Sequence, residues 1–380
     1  MNKKLVRVAL GLFVAIIIAI YLAVNSSKTS NTNENNAELV AATTNINRHS
    51  DVVLKQESVA QEAKHTPPEK VLDSNYIAEC DDHGGLASKV EKQFETTELD
   101  NLIPALEDSV YVESQVALAL ISGNESEKTL TDKFKELKGK HADNTLLSYD
   151  LLSLCTSSDN KCERSVIDEG IALDSQNGAV WLLSVIYELN NNNIERATEN
   201  LLEASYAPVY EEYWGEHFSV FESAFSQAGA GNDLATKVAS LKYSESIPLP
   251  NFGPLVKFCK NTEGTKHNVL HACLSMGQRM SNSESTMLTY LIGLSLQESV
   301  YKKINDDAQI AQVSKMRKEF NKTQSLSKKA FSLVWQSSQR TSDWQFQLKT
   351  SGELAATEYI VDEAIRLSAD LKFDPCEVNW

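Results

Sequence analysis

Residues 179–205 read AVWLLSVIYELNNNNIERATENLLEAS, two apolar-periodic runs parted by the asparagines 190–193. The first run places Val180, Leu183, Tyr187 and the second Ala197, Leu201, Ala204 at helical spacing, so each presents one apolar face. Four polar residues suffice to reverse direction but not to cross a sheet, and the pair is therefore expected to pack as antiparallel neighbours. Working outward, Asp174-Ser175-Gln176-Asn177-Gly178 closes an earlier helix over 162–173, and the region of Pro208 precedes a later one over 210–225.

The same pattern extends in both directions. Val112, Val116 and Leu120 lie before the Gly123-Asn124 break; Leu130, Phe134 and Leu137 follow it, and Leu147, Leu151 and Leu154 lead to Cys155. Pro248, Pro250 and Pro254 interrupt the chain after a helix over 234–243, because proline offers no amide donor. Helical periodicity returns over 269–280 and 287–296, then around Val313, Met316 and Phe320, around Phe331, Val334 and Trp335, and last from Leu354 to Ala364. No series of short alternating strands is present. The sequence predicts an all-α fold in which antiparallel helix pairs build an α-solenoid-like domain, with a first helical region over 76–245 and a second, continuous with it, over 246–380.

At the other end of the chain, residues 8–24 carry no formal charge and follow Lys3, Lys4 and Arg7. That run is long enough for a membrane helix, and its exit, Tyr21-Leu22-Ala23-Val24-Asn25, lacks the Ala-x-Ala of a cleaved signal peptide. The expected layout is a basic cytoplasmic end over 1–7, a transmembrane anchor over 8–24 and a flexible Asn/Ser/Thr-rich tether over 25–75. The localisation that follows is a single-pass bacterial inner-membrane protein with its large C-terminal domain in the periplasm.

The formal charge of -16 disfavours general nucleic-acid binding. Against that background the segment 301–349 holds ten basic residues and four acidic ones. Lys315, Arg317, Lys318, Lys322, Lys328 and Lys329 form a candidate basic patch for an acidic protein or anionic lipid. The six cysteines contain no Cys-x-x-Cys, and in an oxidising compartment they read as disulfides. Sequence leaves the pairing open; the nested set Cys155 with Cys162, Cys259 with Cys273 and Cys80 with Cys376 is preferred, since the first two each staple one short interhelical connection.

Three clusters invite a chemical reading. His267 and His271, four apart near Cys259 and Cys273, are the one arrangement suited to zinc, but oxidation of the two thiols leaves the expectation at no metal and no cofactor. Cys80-Asp81-Asp82-His83-Gly84-Gly85 reads as a solvated loop. Glu211, Glu212, Glu216 and His217 surround Trp214, and paired carboxylates of this kind serve glycoside cleavage or, more simply, make an acidic face. Gly-x-Ser-x-Gly, His-Glu-x-x-His and a phosphate-binding glycine loop are absent.

Trp181, Ala197, Leu201 and Ala204, with Pro208 after them, resemble the large and small packing positions of a tetratricopeptide repeat, which implies a protein-interaction surface and carries over no catalytic residue. Ser184 and Glu188 depart from its large-residue pattern. Leu154-Cys155 with Cys162, Asn177-Gly178 before Trp181, Phe258-Cys259, Cys273 and the segment 288–294 resemble an uncharacterised group of exported, membrane-anchored Gram-negative proteins, which implies an envelope setting. The functional expectation is a non-catalytic, membrane-anchored envelope scaffold that offers a helical-repeat surface to a protein or peptide. Trp181, Tyr187, Tyr210, Tyr213 and Trp214 are its candidate contact residues. The alternative is an envelope hydrolase acting on glycan or peptide, with two carboxylates in a deep cleft or a metal beside His267 and His271. Oligomeric state is not legible.

Overall fold

The computed structural model describes residues 76–79, 99–123, 129–157, 162–231, 233–244, 246–282 and 284–377. Fourteen helices follow one another among them. They are α1 (Leu99–Glu107), α2 (Val112–Ser122), α3 (Leu130–Lys140), α4 (Thr145–Cys155), α5 (Arg164–Leu173), α6 (Gly178–Asn190) and α7 (Ile194–Tyr206). After these come α8 (Trp214–Gln227), α9 (Leu234–Ser244), α10 (Gly253–Asn261), α11 (His267–Met280), α12 (Met287–Lys303), α13 (Asp307–Ala330) and α14 (Ser338–Ser368), with a 3-10 segment at Phe331–Gln336. No strand occurs among the described residues beyond one isolated parallel bridge, Asn177 to Val209.

The short polar residues that break the periodicity become helix caps. Asn144, Asn177, Asn193, Thr286, Asp306 and Ser337 each accept a hydrogen bond from an otherwise unpaired amide in the following first turn. Between α6 and α7 the asparagine run turns tightly, with Asn192 in the left-handed region at φ 57°. Leu182, Val185 and Ile186 of α6 then bury against Ala197, Leu201 and Ala204 of α7. Ser184 and Glu188, which break the repeat-like pattern, are also buried: Asn200 Nδ2 donates to Ser184 Oγ at 2.7 Å, and Glu188 pairs with Arg164. Polar partners occupy the places where the pattern calls for large apolar side chains.

Successive helices from α1 to α7 pack mainly on their sequence neighbours, as in a solenoid, but the rest of the chain does not continue the stack. Helix α8 returns to α2, and α14 packs on α8 and α9. The return is close: a Cβ on Gly215 of α8 would meet Lys349 Cα of α14 at 2.5 Å. The α-solenoid-like expectation is therefore corrected to a recurved all-α domain. Phe221 and Phe225 of α8 enter one core with Phe134 and Leu147, while its Phe218 enters another with Trp344 and Ile360. Residues on either side of 245 share cores, so sites near α8 draw on both halves of the chain.

A second correction concerns the membrane. The stretches 8–24 and 25–75, expected to be anchor and tether, lie outside the described residues. Among the described residues no helix is long and apolar enough to cross a bilayer. Helices α13 and α14, at 24 and 31 residues, have the length, but both carry charged side chains along it. The single-pass, inner-membrane, periplasmic expectation is corrected to an all-α domain in which no described helix spans a membrane.

Two disulfides form as the nested set expects, Cys155–Cys162 and Cys259–Cys273, with Cα separations of 5.5 and 5.9 Å. Cys376 is also disulfide-bonded, and its expected partner Cys80 lies outside the described residues. Cys259 and Cys273 are fully buried and tie α10 to α11. Replacing both with alanine is expected to lower unfolding free energy by about 3 kcal/mol, the loop-closure value for a bridge of this span, as read by urea titration. A loss below about 1 kcal/mol would show that packing alone holds α10 on α11.

Candidate functional site

The segment between α7 and α8 is where sequence expectation and structure part. Periodicity places a helix start at Tyr210; the helix begins at Trp214. The reason is a hydrogen-bonded clamp. Gly178 N donates to Val209 O at 2.7 Å and Val209 N to Gln176 O at 3.1 Å, which holds 209 beside 177. Asn177 Oδ1 accepts from Glu211 N while its Nδ2 donates to Glu211 O, both at 2.9 Å. Tyr213 closes the turn with φ 56°, unusual for a bulky side chain, and its hydroxyl donates to Asp174 Oδ2 at 2.7 Å.

Held this way, Glu212 is directed to the N-terminus of α12. Its Oε2 accepts from Thr286 N at 3.1 Å and its Oε1 from Thr289 Oγ1 at 2.6 Å. A second carboxylate reaches the same helix end: Glu353 Oε2 accepts from Met287 N at 2.6 Å. Free amides and the helix dipole favour negative charge there. Loss of water nevertheless dominates. Burial pushes the Glu212 carboxyl up to about 7, with the threonine hydrogen bonds opposing and the Glu353 charge adding to the rise. Burial raises Glu353 as well.

Beside this pair, His217 of α8 donates from Nε2 to Asp150 Oδ1 of α4 at 2.7 Å. Both are buried, at 2% and 0% exposure. The other ring nitrogen, Nδ1, is buried and has no hydrogen-bond partner. Tyr149, the neighbour of Asp150, meets Tyr213 edge-on at 5.5 Å, and burial followed by the charges of Glu212 and Asp150 holds its phenol protonated.

Glu212, His217, Tyr149, Trp214, Thr286 and Thr289 line a cleft whose outer wall is Pro248, Leu249, Pro250 and Leu288. The free volume of the cleft is about 20 Å³, room for roughly one water-sized group. Leu249 and Leu288 remain 42% and 36% exposed at its edge. Glu211, Glu216 and Glu284 add acidic charge outside, near enough that partial burial and the charges of Glu216 and Glu284 raise the Glu211 carboxyl.

Three of the five candidate contact residues, Tyr210, Tyr213 and Trp214, converge here. The other two are part of the framework: Trp181 Nε1 donates to Ser175 O at 2.7 Å, and the Tyr187 hydroxyl to Cys162 O at 3.1 Å. Glu212 lines the cleft but Glu216 does not, so these two carboxylates are not paired across it. His267 and His271 are exposed on α11, and no group of three metal-ligating side chains assembles among the described residues. The six basic residues all lie on α13, where they divide. Lys315, Lys318, Lys322 and Lys329 share one face, Arg317 and Lys328 another. Lys315 pairs with Glu319, Arg317 with Glu298 and Lys329 with Glu79. The candidate patch for an acidic protein or anionic lipid thus lies as two partly neutralised stripes along one helix.

Sequence reasoning missed Asp150, Glu353, Thr286 and Thr289. A lone carboxylate inside the apolar run Leu147–Leu154 is the one signal that points to Asp150. No family model, no curated protein and no solved structure matches this chain.

Proposed function

We propose that this chain is a non-catalytic interaction domain that holds a basic, apolar-flanked segment of a protein partner across the cleft between α8 and α12. The observation that carries the reading is the pairing of exposed Leu249 and Leu288 with an acidic surround of Glu211, Glu212, Glu216 and Glu284. Exposed apolar side chains rimmed by one sign of charge suit a partner with the complementary pattern. The free volume of the cleft is far below the several hundred Å³ that small-molecule sites use, which favours a surface contact over an engulfed substrate. The repeat-like α6–α7 pair supports the same reading, since it supplies the rigid wall on which the 207–213 segment is clamped.

Selection of displayed random peptides on the purified full chain tests this. Selected sequences should be enriched in Lys or Arg beside Leu, Ile or Phe, and their affinity should fall at least tenfold on the double substitution Leu249→Asp, Leu288→Asp. Peptides without basic enrichment, or binding unchanged by the double substitution, would overturn it.

A further inference from the structure

Resting on the interaction face just described, we infer that the Cys155–Cys162 disulfide is a redox control on it: reduction by a dithiol frees the turn that holds the outer wall of the cleft and weakens partner binding. The wall has little to hold it. Pro248 and Pro250 have no amide proton, and Ile247 and Phe252 at its two ends are buried in different cores. Between those ends one hydrogen bond ties the wall to the rest of the chain among the described residues: Asn251 N donates to Thr156 Oγ1 at 3.1 Å.

Thr156 directly follows Cys155 and is the C-cap of α4. It is buried; its hydroxyl donates to Ser153 O and its carbonyl accepts from Asn190 Nδ2, both at 2.7 Å. The bridge pins the last residue of α4 to Cys162, just before α5. Helix ends fray where nothing holds them, so opening the bridge loosens Thr156 and with it the Asn251 contact.

Access decides which bridge responds. Cys162 is partly exposed, whereas Cys259 and Cys273 have no exposed surface. A thiolate of the dithiol attacks the Cys162 sulfur and expels Cys155 as a thiolate, which takes up a proton. The second thiol then closes the reductant's own disulfide and releases Cys162, so two electrons and two protons pass from the dithiol to the protein.

The test follows amide hydrogen exchange at Asn251 by NMR in the full chain, with and without dithiothreitol, and the affinity for the tightest peptide from the selection above. Reduction should speed Asn251 exchange and weaken the peptide at least about fivefold, the scale of one lost hydrogen bond. Cys376 is exposed and disulfide-bonded as well, so the double substitution Cys155→Ala, Cys162→Ala, with folding checked by circular dichroism, isolates the bridge. That variant should match the reduced chain, and dithiothreitol should change it no further. Thr156→Val, which keeps the bridge, should reproduce the weakening, and reduction should add nothing to it. Exchange or affinity unchanged on reduction, a reduction effect that persists in the cysteine variant, or additive effects of reduction and Thr156→Val would overturn the redox control. Peptide binding indifferent to Leu249→Asp, Leu288→Asp would instead overturn the interaction face, while Asn251 exchange still tests the hold on the wall with no ligand added.

Discussion

Replacing Asp150 with alanine is expected to cost about 4 kcal/mol of unfolding free energy, since breaking a buried charged or polar pair strands the surviving partner. Asp150 has no exposed surface, and its Oδ1 receives the one hydrogen bond that His217 makes through Nε2, at 2.7 Å. With the carboxylate gone, both ring nitrogens are buried and unpaired, and α4 loses its polar link to α8. Asp150→Asn keeps an oxygen in place and should cost less than half as much. The double substitution Asp150→Leu, His217→Phe removes both polar groups together and is expected to recover most of the loss. Urea unfolding followed by circular dichroism reads all three. A loss below about 1 kcal/mol for Asp150→Ala would mean that the pair contributes little to joining α4 and α8.

Gly352 is the second position of large expected effect. It interrupts α14 at φ 83° and ψ 174°, a backbone conformation open to glycine alone, and a Cβ there would lie 2.4 Å from Glu284 Cα and O. The kink turns the following residue, Glu353, onto the first amide of α12. Gly352→Ala therefore strains the backbone and forces the 284–286 turn away, with an expected loss of at least about 3 kcal/mol. Gly139, near the end of α3, provides the contrast. A Cβ on it meets nothing within 4 Å, so Gly139→Ala should leave stability unchanged or raise it by about 0.5–1 kcal/mol. Thermal unfolding of the two variants side by side checks the difference; equal midpoints would contradict the placement of the kink.

Most helices were legible because their signals are local. The asparagine run and the Asn177-Gly178 break mark real caps, and the short spans between cysteines limit which helix ends they can join. What periodicity does not encode is which distant helix covers an apolar face. Phe218 and Phe221 declare a buried helix in sequence, yet nothing near them in the chain announces α2 on one side and α14 on the other. The cleft was half visible for the same reason. Glu212, His217 and Trp214 stand close together in sequence and draw attention as a cluster. Asp150, Thr286 and Glu353 join them only through the recurved packing, across 67, 74 and 66 residues respectively in the hydrogen bonds they make. At 210–213 the Asn177 clamp overrides a periodicity that by itself favours helix.

Everything proposed for the cleft depends on Glu212 being drawn out of water onto the α12 N-terminus. The direct measurement is its titration in the folded chain, by carboxyl ¹³C NMR assigned with Glu212→Gln. The expected midpoint is about 7, against 4.5 for a free glutamate. A folded value above the unfolded one means that the native state holds the proton longer, so the stability contribution is full below 4.5, falls as pH rises toward 7, and costs roughly 3 kcal/mol above it. The Glu212→Gln variant should lose that slope. A midpoint near 4.5, with the pH dependence of stability unchanged in the variant, would place Glu212 in open solvent and contradict the cleft as described.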